Sequence, residues 1–88
     1  NVIVTNKLSN HSTVIEVEGR DRSGLLYDIT KILQKANINI KSAHIATFGE
    51  RAIDVFYVCN LFGDRINSKE KRKRIEYMIR NMLEANNS

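Results

Sequence analysis

A two-layer α+β sandwich, with two helices on one face of a four-stranded antiparallel sheet, is the fold class this sequence predicts. Three observations carry the prediction. Apolar residues recur at helical spacing in two separate stretches, 24–36 and 75–83. Four other stretches are β-prone and bounded by polar or glycine-containing turns. The segments run in the order strand, strand, helix, strand, strand, helix, and 88 residues suffice for one core and no more.

Taken in order, Val2–Thr5 is a short β-prone run, and the polar stretch 7–12 connects it to residues 13–19, where Ile15 and Val17 alternate with Glu16 and Glu18. Leu25, Leu26, Ile29, Ile32, Leu33 and Ala36 form one stripe of the first helix, with Lys31, Gln34 and Lys35 outside it. Residues 38–48 predict a strand whose apolar phase slips around Ser42 and Ala43, as a bulge would cause. Gly49-Glu50 is a tight hairpin turn into residues 51–59, and Phe62-Gly63-Asp64 breaks the chain before its last segment. Asn67 with Glu70 three residues on reads as a capping box for the second helix, whose stripe is Ile75, Met78, Ile79, Met82 and Leu83. The chain is expected to fray in Asn86-Asn87-Ser88.

This ββαββα order is a permuted ferredoxin-like sandwich. The standard βαββαβ form sets its last strand beside its first. Here that edge is expected to be filled from the other end of the chain, by Val2–Thr5 hairpinned to 13–19. In 52–58, Ile53, Val55 and Tyr57 share one face, with Ala52, Phe56 and Val58 on the other. Helices cover only one face, so the second is expected to meet a partner domain or a second copy of the chain.

Composition bounds the function. Hydrophobic residues are 42% and charged residues 27%, a soluble globular balance, and no apolar run approaches the roughly 20 residues of a membrane span. The single cysteine, Cys59, excludes an internal disulfide framework and fits the cytoplasm. With no initiating Met and no leader-like segment, the chain reads as one domain, 1–88, excised from a longer protein. The net charge of +4 owes much to Lys69, Lys71, Arg72, Lys73 and Arg74, read as a solvated helix face or as a surface docking acidic parts of a parent enzyme.

His11, His44 and Cys59 lack paired metal-ligand spacing, so no metal or cofactor is expected. Ser23 with His44 lacks a nucleophile-elbow sequence, and no catalytic residue is expected. His44 reads instead as a packed or interfacial residue on a strand face. RNA binding is the competing class, because this sandwich also serves RNA-recognition modules that stack bases on sheet aromatics. Against it, Phe56 and Tyr57 face opposite ways, and Asp54 is expected to bring negative charge near any phosphate.

The stretch Gly19-Arg20-Asp21-Arg22-Ser23-Gly24-Leu25-Leu26 turns from a strand end into a helix start. Free N–H groups and the positive end of the helix dipole there suit a carboxylate. Asp21 suits an ammonium, and Gly24 allows close backbone approach, so the pair would recognise an α-amino acid. The alternative is that Asp21 or Ser23 caps the helix and Gly24 merely packs.

The run D-R-S-G-L-L after the strand T-V-I-E-V-E-G resembles the strand–loop–helix opening of ACT domains, which are amino-acid-sensing modules. The stretch S-A-H-I-A-T-F-G-E-R-A-I-D-V-F-Y-V, residues 42–58, is similar to the C-terminal ACT domain of bacterial PII uridylyltransferase/uridylyl-removing enzymes. The resemblance covers nearly the whole chain. It departs in Ser23, where proline is usual, and in Cys59-Asn60, where a polar residue and Asp are usual. It implies a glutamine-sensing regulatory domain that controls a nucleotidyltransferase acting on the PII protein, with the catalytic domains elsewhere in the parent chain. It also implies a ligand held between the loop of one ACT domain and the second strand of its neighbour, in a tandem or homodimeric pair. That carries Asp21, Arg22, Ser23, Gly24, Leu25 and Leu26 into the candidate site, with Asn39 opposite.

Overall fold

The computed structural model describes residues 1–20 and 23–86. Its elements run β1 (Val2–Thr5), β2 (Thr13–Arg20), α1 (Leu25–Lys35), β3 (Asn39–Phe48), β4 (Arg51–Cys59) and α2 (Lys69–Asn86). The strands form one antiparallel sheet in the order β1-β2-β4-β3. β1 thus occupies the edge that a C-terminal strand fills in the standard sandwich, as the permuted order requires.

Alternation along the strands decides which side chains meet the helices. Val2, Ile15, Val17, Phe56 and Val58 point to the helix side and join Leu25, Ile29 and Leu33 of α1 with Ile75 and Ile79 of α2 in one buried cluster. Each helix contributes the stripe its apolar spacing predicts except at Leu26, which turns away from the core and is 42% exposed, and Met78, Met82 and Leu83 pack at the margin.

The approach to α2 is tied down by polar bonds. Thr13 Oγ1 donates to Asn6 Oδ1 at 2.6 Å and accepts from the Ile66 N–H at 2.8 Å, while Asn6 Nδ2 donates to the Ile66 carbonyl at 3.0 Å. Thr13 is fully buried, so this is how its hydroxyl is satisfied. The Arg65 guanidinium donates to the carbonyls of Asn6 and Ser9 from the same knot.

Two local expectations shift by one residue. The register slips between Ile40 and Ser42, making Lys41 the extra residue, where the apolar phase pointed to Ser42 and Ala43. The cap of α2 is Ser68 and not Asn67: Ser68 Oγ accepts from the Lys71 N–H at 3.1 Å, and the Ser68 carbonyl accepts from Arg72. Both hydroxyl and amide side chains suit that position, and α2 begins at Lys69, directly after Ser68. The β3–β4 turn is Gly49-Glu50 with Gly49 at φ 62°, the positive value that a two-residue type II′ turn places first.

β3 is unlike the other strands. All ten of its residues are exposed, including Ile45 at 54% and Phe48 at 66%. It is a long edge strand covered by neither helix along its length.

Candidate ligand site at the strand-to-helix turn

β2 ends at Arg20, which pairs with Arg51 at the start of β4, and the chain re-enters the helix layer at Leu25. Between them Gly24 holds the N-cap position at φ 84° and ψ −4°. That left-handed conformation strains a residue with a Cβ, so glycine here serves the turn itself as well as any approaching ligand. The cap position therefore has no side chain, and the Gly24 carbonyl accepts the first helical bond, from Asp28 N–H, at 2.9 Å. Gly24→Ala is expected to cost about 1–2 kcal/mol from backbone strain, read as a lowered denaturation midpoint; an unchanged midpoint would show that the turn relaxes freely.

The proposed site residues separate by role. Asp21 and Arg22 lie outside the described residues. Ser23 and Gly24 are exposed, and Leu26 is exposed next to Tyr27 on the outer side of α1. Leu25 is buried at 4% exposure within the core, so it anchors the turn from beneath. Asn39 is exposed at the opposite end of the sheet, since it pairs with Cys59 whereas the loop sits beside Arg51. At a rise of about 3.4 Å per residue, Asn39 lies roughly 30 Å along β3 from Phe48. One chain therefore does not bring Asn39 to the loop.

Asp54 does not stand where a bound phosphate would meet it. It is 3% exposed and shares the helix side with Ala52 and Phe56. Strand parity already placed it there, and no negative charge reaches the open face from it. That face instead carries Glu16 and Glu18 beside Ile53, Val55 and Tyr57. Its aromatic Tyr57 meets His44 edge-on, with ring centroids 5.6 Å apart. Phe56, its neighbour in sequence, is fully buried. Among the described residues no cluster of three His, Cys, Asp or Glu side chains is placed to hold a metal ion. Among them also, no helix is long and apolar enough to cross a membrane.

The element order and the edge filled by β1 are those predicted from the sequence pattern, and the strand–loop–helix turn lies in the segment that carries the resemblance. A family model described as an ACR9-like, ACT-like domain matches residues 1–86. The chain belongs to the ACT-like domain family. This ACT-like domain is 49% identical over 82 residues to the bifunctional uridylyltransferase/uridylyl-removing enzyme of Bradyrhizobium diazoefficiens, covering 93% of the chain and 9% of the relative. It is 51% identical over 82 residues to the protein of the same description in Nitrobacter hamburgensis, with the same coverage of 93% and 9%. In Azospirillum brasilense the identity is 46% over 82 residues, again 93% of this chain and 9% of that one. The ACT-like domain thus spans about 9% of the length of these curated relatives. Among solved structures, an unknown protein from Galdieria sulphuraria superposes with a TM-score of 0.59 at 22% identity, over 75% of this chain and 36% of that one, a likeness of fold.

Proposed function

We propose that this ACT-like domain is the amino-acid sensor of a PII uridylyltransferase/uridylyl-removing enzyme, with glutamine as its ligand, and that it acts as half of a paired site. The observation that carries the reading is the wholly exposed β3 edge. Two copies of β3 paired antiparallel about His44, with the bulged Lys41 left out of the ladder, set Asn39 of one copy beside Phe48 of the other. Phe48 pairs with Arg51, which also pairs with Arg20 at the mouth of the loop. A pocket incomplete in one chain is then completed across the edge, between residues 21–26 of one domain and Asn39 of its neighbour.

In this reading the loop N–H groups receive the ligand carboxylate, Asp21 receives its ammonium, and Asn39 meets the side-chain amide. The domain performs no chemistry and needs no cofactor. It contributes differential affinity: glutamine bound in one arrangement of the pair shifts the parent enzyme toward the state holding that arrangement. The parent would act on the PII protein in the cytoplasm.

Titration calorimetry with glutamine, beside asparagine, glutamate and a short single-stranded RNA, tests this at a concentration where the protein sediments as a dimer. A glutamine-selective signal is expected. Asp21→Ala is expected to weaken it about tenfold or more, the loss of one charge-assisted hydrogen bond. Preserved affinity in that variant sinks the proposed site, and silence from every amino acid sinks the sensor reading.

A further inference from the structure

The sheet has a second open edge, at β1, and its surroundings differ in kind from those of β3. Asn1 and Glu18 exchange both backbone bonds, Glu18 N–H to the Asn1 carbonyl and the Asn1 amino group to the Glu18 carbonyl, each at 2.8 Å. Antiparallel alternation then turns Ile3 and Thr5 inward to Glu16 and Val14, and turns the backbone groups of Val2 and Val4 outward. Arg80 of α2 donates to the Val2 carbonyl at 3.1 Å and so closes one end of that edge. Beyond it, the N–H and C=O of Val4 face a groove between β1 and α2.

The far wall of this groove is made by Lys69, Arg72, Lys73 and Glu76, one face of α2 at helical spacing, and Lys7 closes the near side. Four cations thus stand against one carboxylate, and Glu76 is 3.8 Å from Arg80, which offsets it. Arg72 uses one nitrogen to hold the Ile66 carbonyl at 2.7 Å, and its planar fork has further donors. Lys69 and Lys73 are exposed and have no ion-pair partner among the described residues.

We propose that this groove docks an acidic peptide segment in extended conformation, which adds to β1 as a fifth strand. The backbone of Val4 supplies the strand-to-strand bonds, and the cationic wall meets acidic side chains at alternate positions, all on the side facing α2. Charge complementarity selects the partner's sign, and the open backbone edge selects its form. A polynucleotide would answer the cations but not the strand edge, and none of the groove-lining residues is aromatic for a base to stack on. The sheet order sets β1 and β3 on opposite edges, so this docking leaves the β3 edge free. It therefore stands or falls independently of the amino-acid site.

The test is fluorescence anisotropy of the 88-residue protein with a labelled octapeptide of alternating Glu and Val, against its Lys/Val counterpart and a single-stranded oligouridine, with amide shifts mapped by NMR. The expected result is binding of the acidic peptide alone, weakened by salt, with the largest shifts at Val2–Thr5. The double variant K69E/K73E is expected to weaken it about tenfold, as is Lys7→Glu to a smaller degree; native amide dispersion in both shows that the fold is kept. Equal binding of both peptides, shifts confined to β3, binding of RNA alone, no peptide binding, or an unchanged affinity in K69E/K73E would each overturn the proposal.

Discussion

Phe56→Ala is expected to be the most damaging single truncation in this molecule, costing about 3–5 kcal/mol. Phe56 is completely buried at the middle of β4, paired with Ile15 on one side and Ala43 on the other, and belongs to the cluster that α1 and α2 cover. Removing its ring leaves a cavity lined by residues already held in a paired sheet, which collapses poorly. A small domain is stabilised by only about 5–15 kcal/mol, so the variant retains little of its margin. With a urea slope of about 1 kcal/mol per molar, the midpoint is expected to fall by several molar. A fall corresponding to less than about 1 kcal/mol would show that the core packs around some other centre.

Ile45→Pro is expected to have the largest effect on association while leaving the fold intact. The two-residue Gly49-Glu50 turn makes Phe48 and Arg51 a hydrogen-bonded pair, so alternation turns the N–H groups of Ala43, Ile45 and Thr47 outward. Proline at 45 removes a donor that β4 does not use, a substitution an edge strand tolerates. A β3-to-β3 pair, however, loses a bond near its centre and meets a ring in its place. Sedimentation is expected to give a dimer for the parent sequence and a monomer for Ile45→Pro, with unchanged circular dichroism. A variant that stays dimeric would mean that the copies meet elsewhere, and the open face bearing Ile53, Val55 and Tyr57 is then the surface to mutate next.

The fold was legible because its signals are local and agree with one another. The apolar spacing of Ile29 and Leu33, and of Ile75 and Ile79, specifies buried stripes without knowledge of what they meet, and the alternation of 52–58 assigned its apolar faces as observed. The one-residue displacements at Lys41 and Ser68 arose where two adjacent positions satisfied the same local rule. Parity groups Asp54 with Ala52 and Phe56, and its burial there is why it brings no charge near a phosphate on the open face.

The exposure of β3 was not legible. Ile40, Ala43, Ile45 and Phe48 are apolar residues in a strand of partial alternation, and nothing in that pattern says that the helices leave them uncovered. The candidate site was legible in part for the same reason. Residues 19–26 announce a turn by composition, but within one chain Asn39 stands at the opposite end of the sheet, and no periodicity encodes which residues a second chain would bring there. Lys69, Arg72 and Lys73 read from sequence as a solvated face or as a surface for acidic parts of a parent enzyme, and only the position of β1 shows that they line a groove.

The uncovered strand also bears on solubility. Natural sheets protect their edges with charges, prolines and bulges, and β3 concentrates its protection at one end, where Lys41 is both the charge and the bulged residue. The seven residues after it, Ser42-Ala43-His44-Ile45-Ala46-Thr47-Phe48, contain no proline, no glycine and no Asp, Glu, Lys or Arg. That is the composition of segments that stack into cross-β fibrils when left unpaired. In the paired arrangement proposed above, a neighbouring chain seated on β3 would act as a gatekeeper as well as a source of half a pocket, and the domain would be safest from aggregation in the state in which its site is whole.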